Sequence, residues 1–208
     1  MTEASSASVG RPLSEAKREK ILSAARRVFL EDGFEGASMQ HITELSGVSK
    51  ATVYNHFPSK DRLFEAVVLE QVRKLREQTF SLRSDMGRPE DVLFGLGIGF
   101  MSAVLQPQNM KMARQLVSDG WRFPHLGRAF MEEGPTRGTQ LLANYLQTLC
   151  DQGVFSIEDT TLAAQQFIAL AEVGQANRAH MTGEFPSQAE IVQRVKSAVR
   201  LFMRGYAP

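Results

Sequence analysis

The side chains able to take part in chemistry concentrate in one stretch, from Ser38 to Lys60. It carries Lys50, Thr52, Tyr54, Asn55, His56 and Lys60 between the apolar residues Ile42, Leu45, Val48, Val53 and Phe57. Donors and acceptors interleaved with apolar residues suit recognition rather than bond making. Small polar residues at the start of a helix let its N-terminus approach base edges in a major groove. On that reading Lys50, Thr52 and Asn55 point outward, while Tyr54 and His56 offer hydrogen bonds to phosphate oxygens. Lys60, opening the next helix, adds a charge and orphan backbone N–H groups. The constellations of catalysis are missing: there is no HExxH, CxxC, GxSxG or phosphate loop. His41, His56, His125 and His180 have no metal-ligand spacing among themselves. The expectation is a chain without catalytic residues, metal or cofactor, and not an enzyme.

These residues need helices to hold them. Helical periodicity runs through the chain, with no alternating strand pattern. A first helix is expected from Ser14, as N-cap, to just before Gly33, with Ile21, Leu22, Ala25, Val28 and Phe29 as its apolar stripe. A short helix from about Ser38 to Ser46 follows, burying Met39, Ile42 and Leu45. Gly47-Val48 then turns the chain, and Ser49 caps a third helix through about His56. Two short helices about a tight glycine turn form a helix-turn-helix. Beyond Pro58, Ser59 caps a long helix from Lys60 to about Leu82, and the charged stretch Arg83 to Asp91 reads as a loop. Five more helices are expected at 90–105, 109–119, 124–150, 158–181 and 188–204, punctuated by Pro107, Pro124, Pro135, Gly153 and the Gly183–Pro186 segment. Pro135 is a place for a kink.

The predicted architecture is therefore all-α with about nine helices. Residues 1–12 read as a disordered arm, 13–60 as a helix-turn-helix domain and 61–208 as a second helical domain. Its 208 residues carry 24 Lys+Arg against 23 Asp+Glu, a net charge of +1, so any nucleic-acid contact must come from a local patch. Cys150 stands alone and cannot form an internal disulfide; a reducing, cytoplasmic setting and an inert packing role are expected. Val92 to Met110 is uncharged, but its apolar part stops at Leu105 and is too short and glycine-rich to span a bilayer.

From Leu13 to Val68 the sequence resembles the DNA-binding domain of the TetR family of bacterial transcriptional regulators. The resemblance rests on the Gly33-Phe34 end of the first helix, the Gly-Val-Ser turn at 47–49, the Thr-x-Tyr-x-His-Phe run at 52–57 and the following Ser59-Lys60. It implies that Tyr54, His56 and Lys60 contact phosphates and that Gln40, Lys50, Thr52 and Asn55 face bases. Ser49, at the head of the recognition helix, joins them. It further implies a ligand-binding and dimerisation domain whose last two helices pack in a four-helix bundle with a second subunit. The stripe Ile191, Val195, Val199 and Phe202, with Phe167 on the preceding helix, is the expected homodimer interface.

For the ligand, the aromatic and methionine residues of the second half offer an apolar lining. Trp121 and Phe123, beside Arg122 and His125, are the first choice; Met101, Phe130 and Phe167 follow. Gly95, Gly97 and Gly99 imply close helix packing or room for a ligand. The expected function is a repressor on a palindromic double-stranded operator, released by a small apolar or aromatic effector. Ligand binding would shift the separation of the two recognition helices away from one helical turn, ~34–36 Å. The alternative is a helical ligand-binding or protein-interaction module that has lost DNA binding.

Overall fold

The structure, a computed structural model, describes residues 10–80, 87–119 and 124–208. All regular structure among them is helical: α1 (Gly10–Gly36), α2 (Met39–Ser46), α3 (Lys50–His56), α4 (Lys60–Thr79), α5 (Pro89–Val104), α6 (Pro107–Asp119), α7 (Pro124–Met131), α8 (Arg137–Asp151), α9 (Thr160–Glu172), α10 (Gln175–Thr182) and α11 (Gln188–Gly205). A π-helical turn, Glu132–Thr136, joins α7 to α8. The chain divides into two compact units inside α4, between Glu70 and Gln71.

In the first unit, α1 presents Ile21, Leu22, Ala25, Val28 and Phe29 to a core that also takes Ile42, Val53 and Phe57. The first turns of α4 belong to this core, because Leu63, Phe64, Val67 and Val68 are buried. Phe64 lies 5.0 Å from Phe29 and 5.1 Å from Phe34, ring to ring. That packing moves the division ten residues beyond the expected boundary at residue 60. Gly33 diverts the end of α1 with φ 71° and ψ 177°, a region essentially reserved for glycine. The helix begins at Gly10 rather than at Ser14, so residues 10–12 are helical and not part of an arm. Pro12 is tolerated there because a first-turn N–H has no intrahelical acceptor. Residues 1–9 lie outside the described residues.

The second unit is built around Leu93, Leu96, Leu142, Leu146, Ala163, Phe167, Val195 and Phe202. Within it α8 packs on α9, and α11 packs on α5 and α9. Gly97 is the close-packing glycine of α5: a Cβ there would stand 2.6 Å from Val195 Cγ1, while Gly95 and Gly99 face open space. Two expected helices are interrupted. The helix over 124–150 changes register at the π turn, where Arg137 N–H reaches the Glu132 carbonyl five residues back. Pro135 inside that turn has no N–H to donate, which removes an α-helical bond and favours the wider loop. The helix over 158–181 breaks at Val173, φ 35°, and Gly174, φ 75°. The Glu172 carboxylate accepts from Gly174 and Ala176 N–H, both at 2.8 Å, and so opens α10. Pro89 starts α5, so residues 89–91 are helical rather than loop.

Candidate nucleic-acid interface and ligand cavity

Local hydrogen bonds position the helix-turn-helix. Ser38 Oγ accepts from His41 N–H at 3.1 Å and caps α2. Gly47, φ 63°, closes α2 by donating to the Glu44 carbonyl. Ser46 Oγ donates to the Thr43 carbonyl at 2.9 Å and accepts from Val48 N–H at 3.2 Å, tying the turn to the helix it leaves. Ser49 Oγ accepts from Thr52 N–H at 3.3 Å and lies 2.9 Å from Thr52 Oγ1. Ile42 and Val53 lock the pair from within, both fully buried. Leu45, expected in that core, is 40% exposed. Ile42 and Ser46, one turn apart, already fill the inward face of so short a helix.

The residues expected from sequence to meet DNA then present as follows. Gln40, Ser49, Lys50, Tyr54 and Asn55 are exposed, and Thr52 and His56 are half-buried. The Lys50 ammonium stands 5.9 Å from the centroid of the Tyr54 ring, and Gln40 Nε2 donates to Glu44 Oε1 at 3.1 Å. Lys60 differs from the rest. Its Nζ donates to the Glu35 carbonyl at 3.2 Å and the Ala37 carbonyl at 3.0 Å, and it lies 4.6 Å from the Phe34 ring centroid.

In the second unit a cavity of about 210 Å³ is lined by Val72, Leu75, Arg76 and Thr79 of α4, Phe80 just beyond it, Phe100, Ala103 and Val104 of α5, Phe130 of α7, Gly134 and Pro135 of the π turn, Thr139 of α8 and Ile168 of α9. The lining is apolar apart from Arg76, Thr79 and Thr139. Arg76 Nη1 donates to the Glu133 carbonyl at 2.6 Å and to its Oε2 at 3.0 Å, and Glu133 also pairs with Arg137 at 3.1 Å. An open groove of about 490 Å³ shares Arg76 and Phe80 with the cavity and continues along Arg137, Gln140 and Leu141.

Of the ligand residues expected from sequence, Phe130 lines this cavity. Met101 and Phe167 do not: they are 1% and 0% exposed in the core behind it. Trp121 and Phe123 lie outside the described residues. The sequence does not point to α4 as a wall of this cavity. The α4 stripe continues through Val72 and Leu75, past the residues that the helix-turn-helix core consumes, and that surplus was the available signal.

The expected dimer residues also need correction. Phe167, Ile191, Val195, Val199 and Phe202 are all buried within a single chain. Phe202 packs its ring 5.4 Å from Phe167, 5.8 Å from Phe155 and 4.8 Å from Tyr206. They hold α11 to its own subunit. The large apolar residues that α9 and α11 leave exposed are Leu162 and Leu201.

A helix-turn-helix followed by a separate unit around an apolar cavity, helical throughout its regular structure among the described residues, has the build of a DNA-binding regulator. The comparisons with known proteins are specific. Residues 21–67 match the domain described as bacterial regulatory proteins, tetR family, and residues 91–208 match that described as AefR-like transcriptional repressor, C-terminal domain. The chain belongs to the TetR family. A TetR-family regulator structure from Mesorhizobium loti is 31% identical, with a TM-score of 0.86 over 94% of this chain and 98% of that one. The flavonoid-responsive regulator FrrA is 26% identical, with a TM-score of 0.79 over 92% and 97%. Among curated relatives, the transcriptional repressor AcnR of Corynebacterium efficiens is 38% identical over 60 residues, which is 29% of this chain and 32% of that relative's length. Among the described residues no helix is long and apolar enough to cross a membrane, and no group of three or more His, Cys, Asp or Glu is arranged to hold a metal ion.

Proposed function

We propose that the chain is a homodimeric transcriptional repressor that binds a palindromic operator and leaves it when a small aromatic ligand enters the second unit. The observation that carries this reading is the helix α4. Its first half is part of the helix-turn-helix core, and its second half forms one wall of the cavity. A ligand that binds better to a displaced α4 lowers operator affinity by linkage.

Base contacts are assigned to Gln40, Lys50, Thr52 and Asn55, and backbone contacts to Tyr54 and His56. Ser49 contributes as the cap that sets the helix N-terminus. The dimer is assigned to the exposed edge of α9 and α11, with Leu162 and Leu201 as apolar anchors. FrrA, similar over nearly its whole length, is flavonoid-responsive, which supports an aromatic effector here. The cavity volume narrows the class. A cavity of about 150 Å³ holds benzene, so about 210 Å³ favours one substituted ring over a whole flavonoid. Among the described lining residues Arg76 is the cationic handle, and an acidic ligand would compete with Glu133 for it.

The test is binding to the chain's own upstream DNA across a salt series, with and without single-ring phenolic acids and flavonoids. Specific, salt-dependent binding relieved by a phenolic acid is expected. Absence of any specific upstream site would favour a module that has lost DNA binding.

A further inference from the structure

The last turn of α1 contains no basic residue, and Gly33 turns the chain sharply near its end. A cation near such an end is favoured both by hydrogen bonding to the last carbonyls and by the helix dipole. The cation comes from elsewhere in the unit. Lys60 Nζ donates to the carbonyls of Glu35 and Ala37 and rests over the face of Phe34, which is itself packed on Phe29 and Phe64. Two of three ammonium donors are spent on backbone. The start of α4 is also a poor phosphate seat: Ser59 Oγ already accepts from Arg62 N–H at 3.3 Å, and Asp61 adds negative charge in the first turn.

We infer that Lys60 is a positioning residue for DNA recognition: its ammonium caps the C-terminal end of α1 and holds the 36–38 link, and with it the N-terminus of α2, instead of contacting phosphate. The consequence for affinity rests on the DNA-binding reading above; the clamp itself does not. Ala37 N–H bonds to Gly33 O and Ser38 caps α2, so the link and the α2 entry angle share one short backbone path.

The experiment uses the full chain with Lys60→Met and Lys60→Arg, and Lys60→Gln if Lys60→Met does not fold. Amide exchange at Ala37, His41 and Ile42, whose N–H groups bond to Gly33 and Ser38, is expected to quicken about tenfold in Lys60→Met, the scale of losing one charge-assisted hydrogen bond, while Val28 and Val53 stay protected. Lys60→Arg should restore most of the protection. Affinity for upstream DNA should fall about tenfold on every sequence, with the log–log salt slope unchanged. A phosphate contact would instead reduce that slope by about 0.9. A reduced slope overturns the inference whatever the exchange shows, and so does unaltered exchange. If the wild-type chain binds no specific DNA, the functional reading fails and the exchange arm alone decides the clamp.

Discussion

In the unit that ends at Glu70, Ser38, Gly47 and Ser49 each satisfy backbone groups within three residues of themselves. In the unit that begins at Gln71, the decisive contacts join residues far apart in sequence: Arg76 with Glu133, Phe167 with Phe202, Val195 against Gly97. A cap fixes where an element begins from information beside it. An apolar stripe fixes only which face turns inward, and is silent on whether its own chain or a second copy covers that face. The first unit therefore sets out its candidate recognition residues at fixed spacings, and the second assembles its cavity from six elements.

The adjacent pair Phe202 and Leu201 tests that contrast most severely. Phe202 is 2% exposed among Phe155, Phe167 and Tyr206, whereas Leu201 is 55% exposed. Phe202→Ala should cost about 3–5 kcal/mol of stability, the usual range for emptying a large aromatic site. Leu201→Asp should leave the melting temperature near wild type and halve the mass seen by sedimentation. Folded monomers from Phe202→Ala would reverse both assignments and return the stripe to the dimer interface.

The cavity wall provides a smaller effect of the same long-range kind. A Cβ at Gly134 would stand 2.8 Å from Val72 Cγ1, and one at Gly138 would stand 3.0 Å from the Phe80 ring. Gly134→Ala should therefore cost about 1–3 kcal/mol by overpacking. Val72→Ala in the same chain should recover part of that loss, a non-additivity that a double-mutant cycle measures. Simple additivity would mean that α4 and the π turn are not in register.

Caps in the first unit should each be worth less and act locally. Ser49→Ala is expected to lose about 1 kcal/mol from the missing bond to Thr52 N–H, read by chemical denaturation. Asn55→Ala, by contrast, should leave stability unchanged and shift operator preference by about 1–3 kcal/mol at one base pair. A stability loss from Asn55→Ala matching that of Ser49→Ala would erase the distinction between positioning and reading residues.

What was legible follows the same division. Gly47 and Ser49 stand at turn-cap spacing, and the structure gives each that role; Ser38, expected as the first residue of the second helix, is instead its N-cap. The stripe at Ile191, Val195, Val199 and Phe202 reads as helical and apolar, and it is; its partner is not legible, because periodicity has no term for the covering surface. Lys60 was recognised as a cation at a helix start, but its direction depends on a carbonyl twenty-three residues earlier. The break at Val173 had no signal of its own, since a β-branched residue at positive φ runs against propensity. Arg76 gave none either: its role depends on Glu133, 57 residues away.

The smallest expected effect sets one cap of the second unit against those of the first. Neither Ser38 nor Ser49 carries a titratable group, whereas α11 opens with a reciprocal box in which Ser187 Oγ accepts from Glu190 N–H and the Glu190 carboxylate accepts from Ser187 N–H and Oγ, both at 2.8 Å. Those bonds from Ser187, backbone first, hold the Glu190 carboxyl below its ordinary value of 4.5, helped by the charges of Arg178 and Arg194. A carboxyl whose folded pKa is depressed stabilises the fold fully above its unfolded pKa, and that contribution drains away as pH falls through the folded value. Acidification below about 4.5 should therefore loosen the first turn of α11, seen as faster amide exchange at Glu190 and Ile191 once the intrinsic pH dependence of exchange is removed. The quantity to read is the difference from Glu190→Gln. A glutamine keeps an acceptor for Ser187 N–H without a charge to lose, and its cap should be insensitive over that range. Identical acid behaviour of wild type and Glu190→Gln would mean that the box is held by packing beneath Ile191 and not by the carboxylate.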